Sequence, residues 1–226
     1  MPQTALDPAQ LERMRHDWDE RARENARHFI ATGKTEWDSA EFFDSGRLCV
    51  FHEILTDLGN VCQYKSAKQM KVLEIGCGAG RMTRALSEVF GEVYAVDVSG
   101  EMIVRAKEAL ADLRNVNLFQ NSGADLEVLG DVQIDFAFSY IVFQHIPSRE
   151  VIYNYAREVQ RLLKPGGLFK FQVQGVLASE GDQPDTWLGV HFTDEEAVAM
   201  ANACGFEPRY RVGAGSQYFW LWFFKP

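Results

Sequence analysis

The chain has 226 residues, 46% hydrophobic and 24% charged, which is ordinary globular composition and enough length to bury one substantial core, with little room for two full-size domains. Asp and Glu number 32 against 23 Lys and Arg, a net charge of −9, and no block of basic residues stands apart from that balance. Nucleic acid is therefore not the expected partner, because phosphate binding relies on clustered cations. Apolar runs fall far short of the roughly 20 residues that span a bilayer, and Met1 to Ile30 is studded with Arg, Glu and Asp rather than carrying a signal-peptide core. A cytoplasmic protein with no membrane partner is expected. Cys49, Cys62, Cys77 and Cys204 are scattered with no C-x-x-C pair, so they read as structural thiols rather than as metal ligands or disulfides.

In chain order, Leu11, Met14, Trp18, Ala22 and Phe29 recur at helical spacing and predict an amphipathic helix to about Ile30. A second helix is predicted from Leu48, Phe51, Leu55 and Leu58, with Asp44 or Ser45 as N-cap and Gly59 as its stop. Trp18, Trp37, Phe42 and Phe43 here are read either as an aromatic lid or, somewhat preferred, as packing for these helices.

From Lys71 the rhythm changes to short β-rich runs alternating with helical patterns: strand Lys71 to Ile75, helix Arg81 to Phe90, strand Glu92 to Val96, helix Gly100 to Leu113. That alternation means βαβ units and a parallel sheet. Further strands are predicted at Val116 to Gln120, Ile134 to Tyr140 and Leu168 to Val173. A helix is predicted from about Ser148 to Leu163, and a turn at Pro165-Gly166-Gly167. Thr193 to Glu196 has the form of a capping box, opening a helix Asp194 to Cys204 that Gly205 ends. Glu207 to Val212 and Gln217 to Phe224, joined by Gly213 to Ser216, predict an antiparallel hairpin whose aromatic residues, Tyr218 to Phe224, are strand core. The chain thus divides into an N-terminal helical lid or cap, residues 1–62, and an α/β domain, residues 63–226.

The most informative stretch is Val72 to Thr83, V-L-E-I-G-C-G-A-G-R-M-T, a buried strand running through a glycine-rich turn into a helix. Alternate glycines permit a tight turn and close approach of a ligand to the backbone, and the following helix offers free N–H groups. Asp97 ends the next apolar strand, where an acid can accept both hydroxyls of a ribose. A nicotinamide dinucleotide would use the same geometry, but Arg81 rather than Gly occupies the sixth position of G-x-G-x-x-G, and Glu74 is an acid that no pyrophosphate would welcome. S-adenosylmethionine (SAM) carries no phosphate; its ammonium and sulfonium are cations that a carboxylate complements.

This stretch resembles the first motif of the class I SAM-dependent methyltransferases, in particular the type 11 group acting on small molecules. The resemblance runs from about Lys71 to Pro226. It takes in Asp97 as the ribose acid, Asp135 to Pro147 as the fourth-strand segment, Leu162 to Gly167 as the turn before the fifth strand, and the terminal hairpin as strands six and seven. It implies a Rossmann-like, doubly wound α/β fold of seven strands, mostly parallel with an antiparallel C-terminal strand, preceded by the N-terminal helices. It also implies that Gly76, Cys77, Gly78 and Gly80 pass along the methionine part of SAM, with Glu74 and Arg81 in the same set. Val98 and Met102 would then pack on the adenine, and Ser139 and Tyr140 would lie near the reacting methyl. Where the family carries Gly-Asp-Ala near the third strand, this chain reads Asn121-Ser122-Gly123-Ala124-Asp125, so Asn121, Ser122 or Gly123 must receive the adenine amino group, or Asp125 after a register shift.

For the acceptor, Gln144-His145-Ile146-Pro147 follows the fourth strand at the ligand-binding edge of such sheets. His145 is either a general base or a structural histidine bonded to backbone. The insertion from Gln174 to Phe192, with Trp187 and His191, is either a cover over substrate or a surface loop. The expected reaction is transfer of the SAM methyl to a nitrogen, oxygen or carbon of a small molecule, leaving S-adenosylhomocysteine, with positioning supplying much of the acceleration and no metal required. The alternatives are a nicotinamide-dinucleotide oxidoreductase and a SAM-binding module without catalysis.

Overall fold

A computed structural model describes residues 7–176 and 184–226. Its contacts divide into two units, residues 15–121 and residues 1–14 with 122–226. Helix α1 (Pro8–Ile30) begins in the second of these and continues into the first. It is interrupted at Asn25, whose backbone is extended; the Asn25 Oδ1 accepts the His28 amide at 3.1 Å and its amide group donates to Thr35 O at 2.8 Å. The asparagine therefore caps the resumed turn in the manner of an N-cap.

Helix α2 (Ser39–Glu53) starts earlier than its apolar pattern suggests, because Asp38 caps it through the Glu41 amide at 2.9 Å. The buried stripe is Phe42, Gly46 and Val50, continued by Ile54, and not the expected Leu48 and Phe51, which are 59% and 51% exposed. Gly46 decides this. A Cβ there would lie 2.0 Å from the Arg81 carbonyl oxygen, so the glycine face alone lets α2 approach the backbone of helix α4 (Arg81–Val89). Gly59 likewise does not stop α2; it lies inside a short helix α3 (Leu58–Cys62), which ends in left-handed Gln63. Phe42 is buried, and its ring meets Trp37 and Phe43 edge-on at 6.2 and 5.5 Å, in line with the packing reading of these aromatics.

The same unit carries strands β1 (Lys71–Ile75), β2 (Glu92–Asp97) and β3 (Val116–Gln120), parallel and in the order β3-β2-β1. Ile75 pairs with Val96 and Asp97 with Gln120, so β1 and β2 release the glycine turn and Asp97 at one edge. Helix α5 (Gly100–Ala109), capped by Ser99, ends short of the expected Leu113 because Leu110 leaves helical geometry and is buried, its Cδ1 facing Gly80.

The second unit holds β4 (Ile134–Ser139), α6 (Arg149–Leu162), β5 (Leu163–Val173), α7 (Asp194–Ala203), β6 (Glu207–Val212) and β7 (Phe219–Phe224). The strands take the order β4-β5-β7-β6, with β4 and β5 parallel and β7 antiparallel to both neighbours. Thr193 and Glu196 form the reciprocal capping box of α7, and Gly205 follows with a φ of 77°. Pro165-Gly166-Gly167 is not a separate turn: the pairing jumps from Ile134–Leu163 to Phe136–Leu168, leaving residues 164–167 as a bulge within β5. The bulge is tied by Gly166 N to Lys225 O at 2.8 Å and Lys225 N to Gly167 O at 2.9 Å. Along β7, Phe219, Leu221, Phe223 and Phe224 are buried and Trp220 and Trp222 half-buried. Tyr218, expected in the core, precedes the strand and is exposed.

Candidate functional site

The glycine turn is held by hydrogen bonds to β2. Gly76 N and Cys77 N both donate to Val96 O, at 2.8 and 3.0 Å, and Gly80 N closes back on Cys77 O at 3.0 Å. Gly76, Gly78 and Gly80 have φ of 78°, 53° and 84°, the left-handed region that glycine enters without steric cost. Gly78 N donates to Asp97 Oδ2 at 2.8 Å, while Ser99 N donates to Asp97 Oδ1 at 2.9 Å. The glycine turn and the acid ending β2 thus form one hydrogen-bonded constellation.

Desolvation by burial raises the Asp97 carboxyl to about 6, against the opposing pull of the Ser99 and Gly78 amides. Glu74, 5% exposed, is raised further, to about 8, again by burial. Its Oε2 accepts the Thr83 hydroxyl at 2.6 Å, and Arg81 also favours its charged form. Burial pushes the Cys77 thiol well above its ordinary range, so it is a packing group rather than a nucleophile. Arg81 is buried, and its guanidinium turns to Ser45 Oγ and Cys49 Sγ of α2, at 3.4 and 3.2 Å. Val98 is half-buried. Met102 is 1% exposed and packs in a cluster with Ala22, Ala26 and Ile30 of α1. Ala79 also lines a cleft of about 930 Å³ with Arg27, Phe42, Phe43, Arg84 and Arg105; Arg84 and Arg105 are ion-paired to Asp112 and Glu101.

The remaining expected site residues lie in the second unit. Ser122 Oγ donates to Asp125 Oδ2 at 2.7 Å and accepts the Ala124 and Asp125 amides, fixing a tight turn through Gly123, whose φ is 87°. Ser139 is buried at the end of β4. Tyr140 is half-buried, and its ring stacks on Trp220 at 5.8 Å and on Phe138 at 6.5 Å.

His145 is buried, with Nδ1 2.7 Å from Trp187 O and Nε2 3.4 Å from the Gln144 amide nitrogen. A carbonyl partner at Nδ1 requires the proton there, which leaves Nε2 as the basic atom of the neutral ring. Gly189 N to Gln144 O and Val190 N to Ile146 O, at 2.9 and 3.1 Å, lay residues 184–192 along this segment. The expected insertion is thus described on both sides, while its residues 177–183 lie outside the described residues.

Sequence reasoning gave no role to Thr83, Ser99 or Asp19, all of which meet the two acids directly or through one hydroxyl. Thr83 stands nine residues after Glu74, one helical turn past the glycines, a spacing that would have drawn notice. Asp19 carries no local signal, because its contact is made across 80 residues of chain.

Residues 72–167 match a family described as a methyltransferase domain. The demethylmenaquinone methyltransferase of Staphylococcus aureus (strain MRSA252) is 34% identical over 104 residues, 45% of this chain and 42% of that protein. The chain thus matches less than half the length of these curated relatives. The DhpI–SAH complex superposes with a TM-score of 0.68 at 20% identity, covering 98% of this chain and all of that one. The Haemonchus contortus phosphoethanolamine N-methyltransferase 1, in complex with phosphoethanolamine and S-adenosylhomocysteine, also gives a TM-score of 0.68, at 14% identity, covering 98% of this chain and 50% of that one. These likenesses bear out the Rossmann-like α/β class of seven strands, mostly parallel with an antiparallel C-terminal strand. The dinucleotide alternative finds no support among these proteins. Among the described residues no helix is long and apolar enough to cross a membrane.

Proposed function

We propose that this chain, whose residues 72–167 match the methyltransferase-domain family, is a cytoplasmic SAM-dependent methyltransferase acting on a nitrogen, oxygen or carbon of a small molecule. The observation that carries the reading is Asp97 receiving the Gly78 amide at 2.8 Å, which joins the ribose acid to the left-handed glycine turn. The donor set fits the cofactor: carboxylates for hydroxyls and cations, and bare glycine backbone for close approach. Four free cysteines support a reducing compartment. The relatives' names, demethylmenaquinone and phosphoethanolamine, are of unlike small molecules and support that class without selecting an acceptor.

SAM supplies a methyl group already activated by a sulfonium leaving group. Asp97 accepts the ribose hydroxyls, and Glu74 complements the positive charge. Gly76, Cys77, Gly78, Gly80 and Arg81 border the methionine part, the last through its backbone, since its side chain is spent on α2. Val98 and Met102 support the adenine, Ser122 and Gly123 receive its amino group, and Ser139 lines the reacting end. Tyr140 orients the acceptor, and His145 takes its proton at Nε2 where the nucleophile carries one. The chain's main contribution is to hold donor and acceptor in line and exclude water. Residues 1–62 form the cap and 63–226 the cofactor domain.

Calorimetric titration with SAM, S-adenosylhomocysteine and NAD tests this. Micromolar binding of the first two, lost in Asp97→Ala, with none for NAD, is the expected result; binding of NAD alone overturns the reading.

A further inference from the structure

Helix α1 reaches the acid at the end of β2 through a single buried hydroxyl. Asp19 Oδ1 accepts Ser99 Oγ at 2.6 Å and the Glu101 amide at 3.2 Å. Ser99 is fully buried; its own amide donates to Asp97 Oδ1 at 2.9 Å and its hydroxyl oxygen accepts the Met102 amide at 3.1 Å. The hydroxyl proton is thus committed to Asp19 and the lone pair to helix α5, which leaves Ser99 one rotamer. That rotamer fixes the backbone carrying the amide that holds Asp97.

Two independent contacts anchor the same stretch of α1. Ala22 and Ala26 pack with Met102, Ile30 joins that cluster, and a Cβ on Gly78 would lie 2.7 Å from Ile30 Cδ1. Arg23 meanwhile bonds Glu101 at 3.2 Å. The stretch of α1 from Asp19 to Ile30 therefore bears on Ser99, beside the β2 acid, at one end and on the glycine turn at the other. The Asp19 charge also acts on Asp97 through space, raising its carboxyl, as two carboxylates bridged by one serine must.

We propose that Asp19 is a positioning residue of the cofactor site, acting through Ser99 to hold Asp97 in its ribose-accepting orientation. Part of α1 then belongs to the binding machinery and is more than a cover. The inference rests on the reading of Asp97 as the ribose acid. A purely structural Asp19 would serve only to cap α5 through the Glu101 amide, and the two roles separate by measurement.

SAM affinity is measured by calorimetry for the full chain and for Asp19→Ala, Asp19→Asn, Ser99→Ala and the Asp19→Ala/Ser99→Ala double variant, with thermal unfolding of each. Asp19→Ala should weaken SAM binding by roughly tenfold, the scale of one charged hydrogen bond. Asp19→Asn, whose carboxamide oxygen still accepts from Ser99 and Glu101, should recover most of that loss. The double variant should bind about as well as the weaker single one, because both cut the same path. Unchanged affinity in Asp19→Ala, no recovery in Asp19→Asn, or losses that multiply in the double variant would each overturn the proposal. Failure of the underlying reading looks different: SAM affinity would then be insensitive to Asp97→Ala as well.

Discussion

Thr83 Oγ1 donates to Glu74 Oε2 at 2.6 Å, a hydrogen bond sealed inside the protein at the foot of the glycine turn. It favours the carboxylate, yet burial outweighs it and the group is raised to about 8, so Glu74 is largely protonated at pH 7. A cation arriving beside it must lower that value. SAM binding at pH 7 should therefore release a fraction of a proton, seen as a binding enthalpy that changes with the ionisation heat of the buffer. In Glu74→Gln the buffer dependence should shrink to the small release left by Asp97. If both proteins show the same dependence, the proton comes from elsewhere.

The same group sets a stability trend. A carboxyl raised from 4.5 to about 8 binds more protons folded than unfolded between those values, so it costs the fold stability progressively as pH rises through that window. Thermal unfolding from pH 4.5 to 8 should show a smaller decline in Glu74→Gln than in the parent. Parallel curves would mean that another group governs the trend.

Asp97 behaves in the opposite functional sense. Its carboxyl, raised to about 6, must be ionised to accept ribose hydroxyls at full strength. In a Glu74→Gln background, where the other raised carboxyl cannot titrate, SAM affinity should hold above pH 7 and fall as pH drops through about 6. Asp97→Asn keeps an acceptor but loses the charge, and should bind at least about tenfold more weakly with little pH dependence in that range. A flat profile in that Glu74→Gln protein would remove Asp97 from the binding role.

Much of this site was legible because it is local. Glu74, the glycines and Asp97 fall on one strand, one turn and the end of the next strand, and period and turn chemistry suffice to align them. α2 was misread because the residue that decides its buried face, Gly46, has no side chain to enter an apolar pattern. Leu48 and Phe51, which have the right spacing, lie on the outer face. The bulge at residues 164–167 depends on Lys225, 58 residues beyond Gly167, and the Asp19 contact on Ser99 is just as remote. Contacts of this kind leave no period in the sequence.

Gly46 and Gly78 give contrasting expectations for alanine. In an isolated helix Gly46→Ala would gain about 1 kcal/mol in propensity. Here the new Cβ would meet the Arg81 carbonyl at 2.0 Å, backbone that cannot swing aside, so a net loss of roughly 2–4 kcal/mol in chemical denaturation is expected. At Gly78 the obstacle is the flexible end of Ile30, at 2.7 Å, and the larger cost is the φ of 53°. Gly78→Ala should fold with a modest loss and show its main effect in SAM affinity. Equal stability losses at the two sites would contradict this ranking.

Ile141 is a β-branched residue with a φ of 55°, a conformation costing of order 1–2 kcal/mol. What holds it is Gln172, 2% exposed near the end of β5, whose Oε1 accepts the Ile141 amide at 2.9 Å. The twist at Ile141 follows directly on Tyr140, whose ring lies against Trp220, the β7 partner of Gln172 in the sheet register. Gln172→Leu removes the acceptor and strands the amide next to a strained backbone, so a loss of roughly 1–3 kcal/mol is expected, with the Ile141 amide exchanging at least about tenfold faster. The informative comparison is Gln172→Leu in an Ile141→Gly background, where glycine takes the left-handed conformation without cost and the turn persists. The exchange rate of the His145 amide, which donates to Val142 O at 2.9 Å across this turn, should then stay near the parent's. If His145 exchange rises equally in both backgrounds, Gln172 is needed for the packing of β5 and not for the turn that sets Tyr140.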